Sequence, residues 1–187
     1  MFLLKKIYGF LIDTAQTVLL AATVFLITYI FLLRPFQVSG QSMYPTFYDK
    51  EYVLTDLITI KFYPPQRGDV VVFKSPTDPD KDFIKRIIGV PSDTVALKDG
   101  NVYVNEKELD EGSYVSQELK TYGGSFLGDN ETIKVSEGEY FVSGDNRSHS
   151  SDSREFGTIK QKDIIGKSFF VYWPPNKIRG IKNPFDN

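Results

Sequence analysis

Ser42 is the first candidate for chemistry, because a serine hydroxyl is a nucleophile once a neighbouring base removes its proton. It lies in the segment RPFQVSGQSMYPTF. The alternative interpretation is that this serine is an ordinary turn residue without a chemical role. The chain contains no cysteine and one histidine, His149, so a thiol nucleophile and thiolate or multi-histidine metal sites are excluded. The candidate bases for a serine are therefore a carboxylate, His149 or a lysine.

The segment DFIKRIIGVPSD places two cations inside an apolar strand pattern. Alternation along a strand puts Lys85 on one face and Arg86 on the other, so one of them must point where apolar side chains point. An edge-strand cation whose head reaches solvent is one interpretation. The other is a desolvated lysine whose pKa falls far enough for it to act as a base, and a serine–lysine pair is a known catalytic solution.

The third segment, SGDNRSHSSDSREFG, is crowded with short polar residues and directly follows the apolar run EYFV. It is interpretable as a polar surface loop with Asx turns. Alternatively, Asp145, Asp152, Arg147 and Arg154 form ion pairs that fix its shape, and its serines supply hydroxyl groups to a neighbouring lysine.

An uncharged stretch of twenty residues, 14–33, precedes these segments and is long enough to cross a bilayer as a helix. A buried core helix and a cleaved signal peptide are the alternatives. Lys5 and Lys6 favour a cytoplasmic N-terminus. We therefore expect a cytoplasmic N-terminus at 1–13, a transmembrane helix at 14–33, a domain outside the cytoplasm at 34–175 and a C-terminal surface tail at 176–187.

The rest of the chain is predicted to be mostly antiparallel β-structure. Short β-branched and aromatic runs alternate with turn signals, and residues 110–130 have few apolar anchors and are expected to form a mobile loop. The net charge of −2 gives no indication of nucleic-acid binding.

Four blocks of the sequence resemble the type I signal peptidases, which are bacterial membrane-anchored serine–lysine endopeptidases. They occur in the family's order behind the apolar segment, and together they span 42 residues: SGQSMYPT, RGDVVVF, FIKRIIGVPSDTV and GDNRSHSSDSREFG. The resemblance implies an antiparallel β catalytic domain of signal-peptidase type after a single transmembrane helix. It implies neither a metal nor an organic cofactor.

By this resemblance, Ser42 is the nucleophile and Lys85 is the general base and later the general acid. Ser150 corresponds to a serine that is hydrogen-bonded to the lysine. Asp152 and Arg154 correspond to a structural ion pair, and Asp145 is the expected partner of Arg86. The implied substrate pockets would admit alanine-sized side chains and would be lined by Phe36, Val38, Met43, Phe47, Phe83 and Ile84.

The sequence departs from the family pattern at three positions. Gly40 stands where some members have a serine whose hydroxyl helps to bind the oxyanion, so the backbone N–H of Ser42 is expected to do more of that work. Ser92 replaces a glycine of the family pattern. His149 lies in the last block, where the family does not require histidine, and is expected to be an exposed loop residue.

The implied function is removal of signal peptides from exported preproteins at the cytoplasmic membrane, after a small residue. The implied partners are signal-peptide-bearing preproteins, the lipid bilayer and the secretion translocon, and not nucleic acid. Two alternatives remain open at this stage. One is a serine–lysine peptidase that cleaves itself or a cytosolic partner, and the other is a membrane-anchored binding or scaffold protein on a peptidase-like fold.

Overall fold

The computed structural model describes residues 2–115 and 120–186, and it begins with one long helix, α1 (Phe2–Phe31). Its segment Leu4–Tyr29 has a mean hydropathy of 1.9 and is long and apolar enough to cross a membrane. The most apolar part of this segment is not buried against the rest of the protein, which argues against a buried core helix. The helix includes most of the segment expected as a separate N-terminus at 1–13. It ends before position 33, because Leu33 already pairs with Asp56 in the first strand.

Two antiparallel sheets follow the helix within the described residues. Their strands are β1 (Leu33–Gln37), β2 (Tyr52–Asp56), β3 (Val70–Lys74), β4 (Asp82–Gly89), β5 (Thr94–Lys98), β6 (Asn101–Val104), β7 (Lys107–Glu108), β8 (Thr132–Lys134), β9 (Glu139–Ser143), β10 (Ile159–Lys160), β11 (Ile164–Trp173) and β12 (Arg179–Gly180). The larger sheet has eight strands in the order β1-β2-β11-β3-β4-β9-β10, with β12 paired to β11, and the smaller sheet has the order β7-β6-β5-β8.

Short helical turns connect several strands. They are the α-helices α2 (Thr59–Phe62) and α3 (Ser153–Phe156) and the 3-10 helices Arg147–His149, Gln161–Asp163 and Pro175–Lys177. The predicted fold class, mostly antiparallel β-structure after one N-terminal apolar helix, is confirmed.

Strand β4 is central to the larger sheet, since it pairs with β3 on one side and β9 on the other. Its residues contribute to different apolar clusters: Ile87 packs with Phe73 and Val142, whereas Ile88 packs in a separate cluster beneath the smaller sheet. Both faces of β4 are therefore covered, and any polar side chain on its inner residues must find its partners inside the protein.

The C-terminal segment packs against the domain, which differs from the surface tail expected at 176–187. Strand β12 pairs with β11, and the Arg179 guanidinium donates to both carboxylate oxygens of Glu51 at 2.9 and 2.6 Å. The same guanidinium donates to the carbonyl oxygen of Thr46 at 2.7 Å. Further along, the Asn183 amide donates to the carbonyl oxygen of Arg67 and to the Asp69 carboxylate. The sequence did not reveal the side-chain contacts of Arg179 and Asn183 because each joins residues more than a hundred positions apart.

Candidate active site

Ser42 lies in the loop that joins β1 to β2. Two backbone hydrogen bonds close this loop, from Val38 N–H to the carbonyl oxygen of Glu51 and from Lys50 N–H to that of Val38, both at 2.8 Å. Gly40 has a φ of +88°, which favours glycine, and its N–H donates to the Asp49 carboxylate at 2.8 Å. The loop is thus held at its base by three hydrogen bonds, and Ser42 lies just beyond the Gly40–Asp49 bond.

Strand β4 brings Lys85 to this serine. The Lys85 Nζ lies 2.7 Å from the Ser42 Oγ and 3.0 Å from the carbonyl oxygen of Ile84, and Lys85 is only 4% exposed. Burial lowers the pKa of Lys85 to about 8, although the negative charges of Asp152 and Asp145 act in the opposite direction. No carboxylate in the described part of the chain forms a direct ion pair with Lys85. The polar atom nearest to the Lys85 Nζ is the Ser42 Oγ, and this is the hydroxyl from which a base would have to remove the proton.

Arg86, on the opposite face of β4, is also buried, but it is fully paired. Its guanidinium donates to both oxygens of the Asp145 carboxylate at 2.8 Å, to the carbonyl oxygen of Gly68 at 2.8 Å and to the Thr46 hydroxyl at 3.1 Å. The alternation argument required burial of one cation, and the structure buries both. The reason is that β4 is an inner strand with both faces covered.

Asp152 and Arg154 form a second buried ion pair at the start of α3. Two guanidinium nitrogens of Arg154 donate to the Asp152 carboxylate at 2.9 Å, and this carboxylate also accepts from the Ser143 hydroxyl and the Gly144 N–H at 3.0 Å. Burial by itself raises the pKa of Asp152, but the Arg154 guanidinium and the Gly144 N–H hold it below its usual range.

Ser150 lies close to the loop that bears Ser42 and is not bonded to Lys85. A Cβ atom at Gly144 would come within 2.2 Å of the Ser150 Oγ and 2.4 Å of the Ser42 carbonyl oxygen, so only glycine permits this close approach. The Ser150 Oγ is buried and has no hydrogen-bond partner among the described residues. The structure contains no hydrogen bond between this serine and Lys85, although the resemblance implies one; Lys85 donates to Ser42 and Ile84.

Arg147 ties the third segment to the region that was expected to be a mobile loop. Its buried guanidinium donates to the carbonyl oxygen of Gly144 at 3.0 Å and to the Thr121 hydroxyl at 3.1 Å, and it forms an ion pair with Glu111. The described parts of 110–130 are therefore bonded to the site, while residues 116–119 lie outside the described residues.

A cleft of about 250 Å³ opens beside Ser42 and Lys85. Four of the predicted pocket residues line it: Phe36, Val38, Phe83 and Ile84. Six further lining residues were not predicted: Gln37, Ser39, Val53, Val72, Asp82 and Ser151. Val72 could have been found from strand pairing, since it lies opposite Ile84 in the sheet.

Met43 and Phe47 do not line this cleft, which corrects the prediction that placed them there. They are 1% and 0% exposed and belong to a core cluster with Val53, Val70 and Val171. Their side chains point inward and anchor the loop that bears Ser42 to the sheet. Because they are buried, they can affect the cleft only by supporting the residues that line it.

His149 takes no part in the site. It is exposed, and its ring nitrogen contacts the Ser148 hydroxyl at 3.0 Å and the Asn146 amide oxygen at 3.4 Å. Residues 2–115 and 120–186 contain no group of three or more histidine, aspartate or glutamate side chains placed to hold a metal ion.

Comparison with known proteins places this arrangement in a family. Residues 11–173 match the family model described as "Signal peptidase, peptidase S26", and the chain belongs to this family of peptidases.

Individual relatives agree over nearly the whole chain. It is 36% identical over 182 residues to signal peptidase I T of Bacillus subtilis (95% of this chain, 93% of the relative). Signal peptidase I of Bacillus licheniformis is 37% identical (90% and 92%), and signal peptidase IB of Staphylococcus aureus is 35% identical (92% and 96%). A crystal structure of a signal peptidase I from Enterococcus faecalis is 34% identical, with a TM-score of 0.45, over 56% of this chain and 97% of that one. The family and the names of the Bacillus and Staphylococcus relatives support a signal peptidase I function and, with the apolar helix, a membrane-anchored protein.

Proposed function

We propose that this signal peptidase cleaves the signal peptides of exported preproteins after a small residue, with Ser42 as the nucleophile and Lys85 as the general base. The observation that carries the proposal is the 2.7 Å separation between the Ser42 Oγ and the Nζ of a lysine that is only 4% exposed. An exposed lysine is protonated near neutral pH and cannot accept a proton. Burial is what makes this one a usable base.

The lowered pKa leaves enough neutral amine for the reaction. With a pKa of about 8, roughly a tenth of Lys85 is unprotonated at pH 7, against less than about a thousandth at the ordinary value of 10.5. Asp145 and Asp152 limit the shift but are each neutralised by an arginine. The site therefore keeps a base that matches the working pH.

The reaction proceeds in two halves. Neutral Lys85 takes the hydroxyl proton while the Ser42 Oγ attacks the scissile carbonyl, and the resulting ammonium then gives this proton to the departing amine. Water attacks the acyl-enzyme in the second half: Lys85 accepts a water proton and returns it to the Ser42 Oγ as the ester bond breaks. Each proton that Lys85 takes up is thus released in the same half-reaction.

Ser150 is proposed to assist Lys85 although the two are not bonded in the structure. An ammonium group has three N–H donors, and Lys85 uses two of them on Ser42 and Ile84. The buried Ser150 hydroxyl has no partner among the described residues. A hydrogen bond between these two groups during the reaction would use the third N–H of Lys85 and would orient the amine towards Ser42.

The cleft explains the proposed preference for a small residue. Its walls are the end of β1 with the residues that follow, Phe36 to Ser39, and the start of β4, Asp82 to Lys85, so an extended peptide can lie between them. The volume of about 250 Å³ has to hold the substrate backbone as well as its side chains, and it is bordered by Val38, Ile84 and Val53. We expect side chains of alanine size beside the scissile bond to leave room for that backbone.

The anchor sets the proposed location. Lys5 and Lys6 favour retention of the N-terminus in the cytoplasm, which places the β domain on the outer face of the cytoplasmic membrane in a single-pass arrangement. The bilayer and the signal-peptide-bearing preprotein are then direct partners, and the secretion translocon is a neighbour in the same membrane. Mapping by added protease tests this orientation, since intact cells stripped of their wall should expose the β domain and not residues 2–13.

The activity is tested with the purified full chain in detergent and a preprotein whose signal peptide ends in Ala-x-Ala, with N-terminal sequencing of the product. We expect Ser42→Ala and Lys85→Ala to lose at least about 10³-fold in kcat. Lys162→Ala, a change at an exposed lysine outside the site, serves as the matched control and should cleave normally. Full cleavage by either site variant would refute the mechanism.

The pH dependence adds an independent test. Because Lys85 must be unprotonated, kcat/KM should fall about tenfold per pH unit below a midpoint near 8, the pKa of this lysine. A profile that stays flat from pH 8 to pH 5 would exclude Lys85 as the base. Acylation of Ser42 by a β-lactam-type inhibitor separates a peptidase from a binding or scaffold protein, since only an activated serine would be labelled.

A further inference from the structure

Asn146 holds the backbone on both sides of Ser42. Its side-chain amide donates to the carbonyl oxygen of Gln41 at 3.1 Å, and its backbone N–H donates to the carbonyl oxygen of Ser42 at 3.0 Å. These two carbonyl groups belong to the peptide units immediately before and immediately after the serine. One residue of the third segment thus bonds to both peptide units that flank the serine, and the Gln41 carbonyl oxygen has a second donor, the Tyr44 N–H at 3.1 Å.

A fixed carbonyl also fixes the N–H of the same peptide unit. The peptide group is planar and trans, so its N–H points away from its C=O. The bonds from the Asn146 amide and the Tyr44 N–H to the Gln41 carbonyl oxygen therefore hold this peptide so that the N–H of Ser42 points away from Asn146. This N–H makes no hydrogen bond to any described residue, so it is available to a ligand.

The N–H of Ser42 is also the donor on which the oxyanion of the proposed reaction most depends. Gly40 has no hydroxyl to offer, and its own N–H is already bonded to the Asp49 carboxylate. An oxyanion hole works only if its donors are fixed before charge develops, because reorientation during the reaction costs free energy. A site that relies on one backbone donor needs that donor's peptide plane to be held firmly.

We propose that Asn146 is a positioning residue that orients the N–H of Ser42 towards the oxyanion of the transition state. The inference rests on the proposed function and adds to it a residue that touches neither Lys85 nor the predicted pocket. Asn146 acts through the Gln41–Ser42 peptide, so its removal should weaken binding of the tetrahedral species and leave binding of the uncleaved substrate intact.

The neighbours of Asn146 explain why it can serve as a fixed support. It is only 8% exposed and lies between Asp145, which is paired with buried Arg86, and Arg147, which is paired with Glu111. Two ion pairs therefore hold the backbone on either side of it. Its amide oxygen meets only the distant Ser148 hydroxyl and the His149 ring, each at 3.4 Å.

Asn146→Asp is the sharpest test, because it keeps the shape of the side chain and replaces the N–H donor with an acceptor that repels the Gln41 carbonyl. We expect kcat for preprotein cleavage to fall by about 10²-fold, the usual loss when one oxyanion donor is removed, with KM changed less than about threefold. The midpoint of the pH profile should stay near that of the unmodified protein, because Lys85 is not touched.

Two inhibitors distinguish positioning from general damage. A peptide aldehyde ending in alanine forms a hemiacetal in which the Ser42 Oγ bonds to the aldehyde carbon and its oxygen occupies the oxyanion position. The corresponding peptide alcohol binds without forming this bond. The aldehyde should lose about 10²-fold in affinity for Asn146→Asp, and the alcohol less than about threefold. Equal losses for the two inhibitors, or an unchanged kcat, would overturn the proposal.

Controls separate this inference from the proposed function and from misfolding. Ser148→Ala removes the contacts of its hydroxyl to the Asn146 amide oxygen and to the His149 ring, leaves both Asn146 donors in place, and should keep normal kcat. Asn146→Ala tests the same expectation without adding charge, should the aspartate variant unfold at a lower temperature. If Ser42→Ala is inactive while both Asn146 variants are fully active, only the present inference fails. If Ser42→Ala cleaves normally, the proposed function fails with it.

Discussion

Strand β4 buries two neighbouring cations on its opposite faces, and the surroundings of the two are different. Arg86 meets a carboxylate that binds it through two hydrogen bonds, together with a carbonyl and a hydroxyl oxygen. Lys85 meets one hydroxyl and one carbonyl oxygen, with carboxylates acting on it only from a distance. One face of the strand stabilises a positive charge, and the other disfavours it.

The difference shows how adjacent residues can serve stability and chemistry separately. A guanidinium group stays protonated in proteins, so Arg86 is suited to a permanent ion pair that joins β4 to the third segment. An amine loses its proton when it is desolvated without a counter-ion, so Lys85 can become a base. The strand geometry keeps the two apart, since successive side chains point to opposite faces.

The largest effect on stability is expected from breaking the Arg86–Asp145 pair. Asp145→Asn keeps the side-chain shape but leaves a buried guanidinium without its counter-charge, and it should lower the free energy of unfolding by about 3–5 kcal/mol. Chemical denaturation in detergent, followed by circular dichroism of the β-structure, measures this change.

The double variant Arg86→Met with Asp145→Leu removes both charges and serves as the control. It should recover most of the loss, because no unpaired charge remains. If Asp145→Asn costs less than about 1 kcal/mol, the Arg86 face does not depend on its counter-ion and the contrast between the two faces is wrong.

The opposite sign is expected for Lys85→Met. Because burial lowers the pKa of Lys85 from 10.5 to about 8, the folded protein binds this proton less tightly than the unfolded chain does. The penalty is fully present below about pH 8 and disappears as the pH rises towards 10.5. At pH 6–7 the variant should therefore gain up to about 3 kcal/mol, at about 1.4 kcal/mol per pH unit.

Measuring the unfolding free energy of both proteins between pH 6 and pH 10.5 tests this expectation. The gain should shrink steadily across the upper part of that range. A stability difference that is independent of pH would show that Lys85 is not held in a charge-disfavouring site.

The smallest effect is expected at the exposed start of the same strand. Lys74 on β3 pairs with Asp82 on β4 at 2.8 Å, with side-chain exposures of 55% and 28%. Surface pairs contribute only about 0–1 kcal/mol, so Lys74→Ala should change thermal stability very little. A loss above about 2 kcal/mol would mean that position along β4, and not burial, decides how much a charge pair contributes.

The contacts that depend on short motifs could be predicted from the sequence, whereas those that depend on packing could not. The four blocks implied that Ser42 and Lys85 meet and that Arg86 binds Asp145, and the structure contains both contacts. The motifs could not show that Met43 and Phe47 turn inward, because a loop has no fixed periodicity from which the direction of a side chain follows.

The fold class was accessible from the pattern of short apolar runs and turns, whereas the strand order was not. Strand β11 lies between β2 and β3 although it comes nearly a hundred residues after them, and nothing local in either segment specifies that pairing. Asn146 was missed for a similar reason. Its importance lies in bonds to two main-chain carbonyl groups, which carry no residue-type signal.

The hydrogen bonds from Arg179 to the loop that bears Ser42 have a consequence for the order of events during synthesis. The guanidinium group that holds the Thr46 carbonyl oxygen is supplied 133 residues after it. A ribosome therefore releases Ser42 early and Arg179 late. Until Arg179 has emerged and β12 has paired with β11, the loop that bears Ser42 lacks one of its supports. The final geometry of this loop therefore cannot form before β12 has been synthesised.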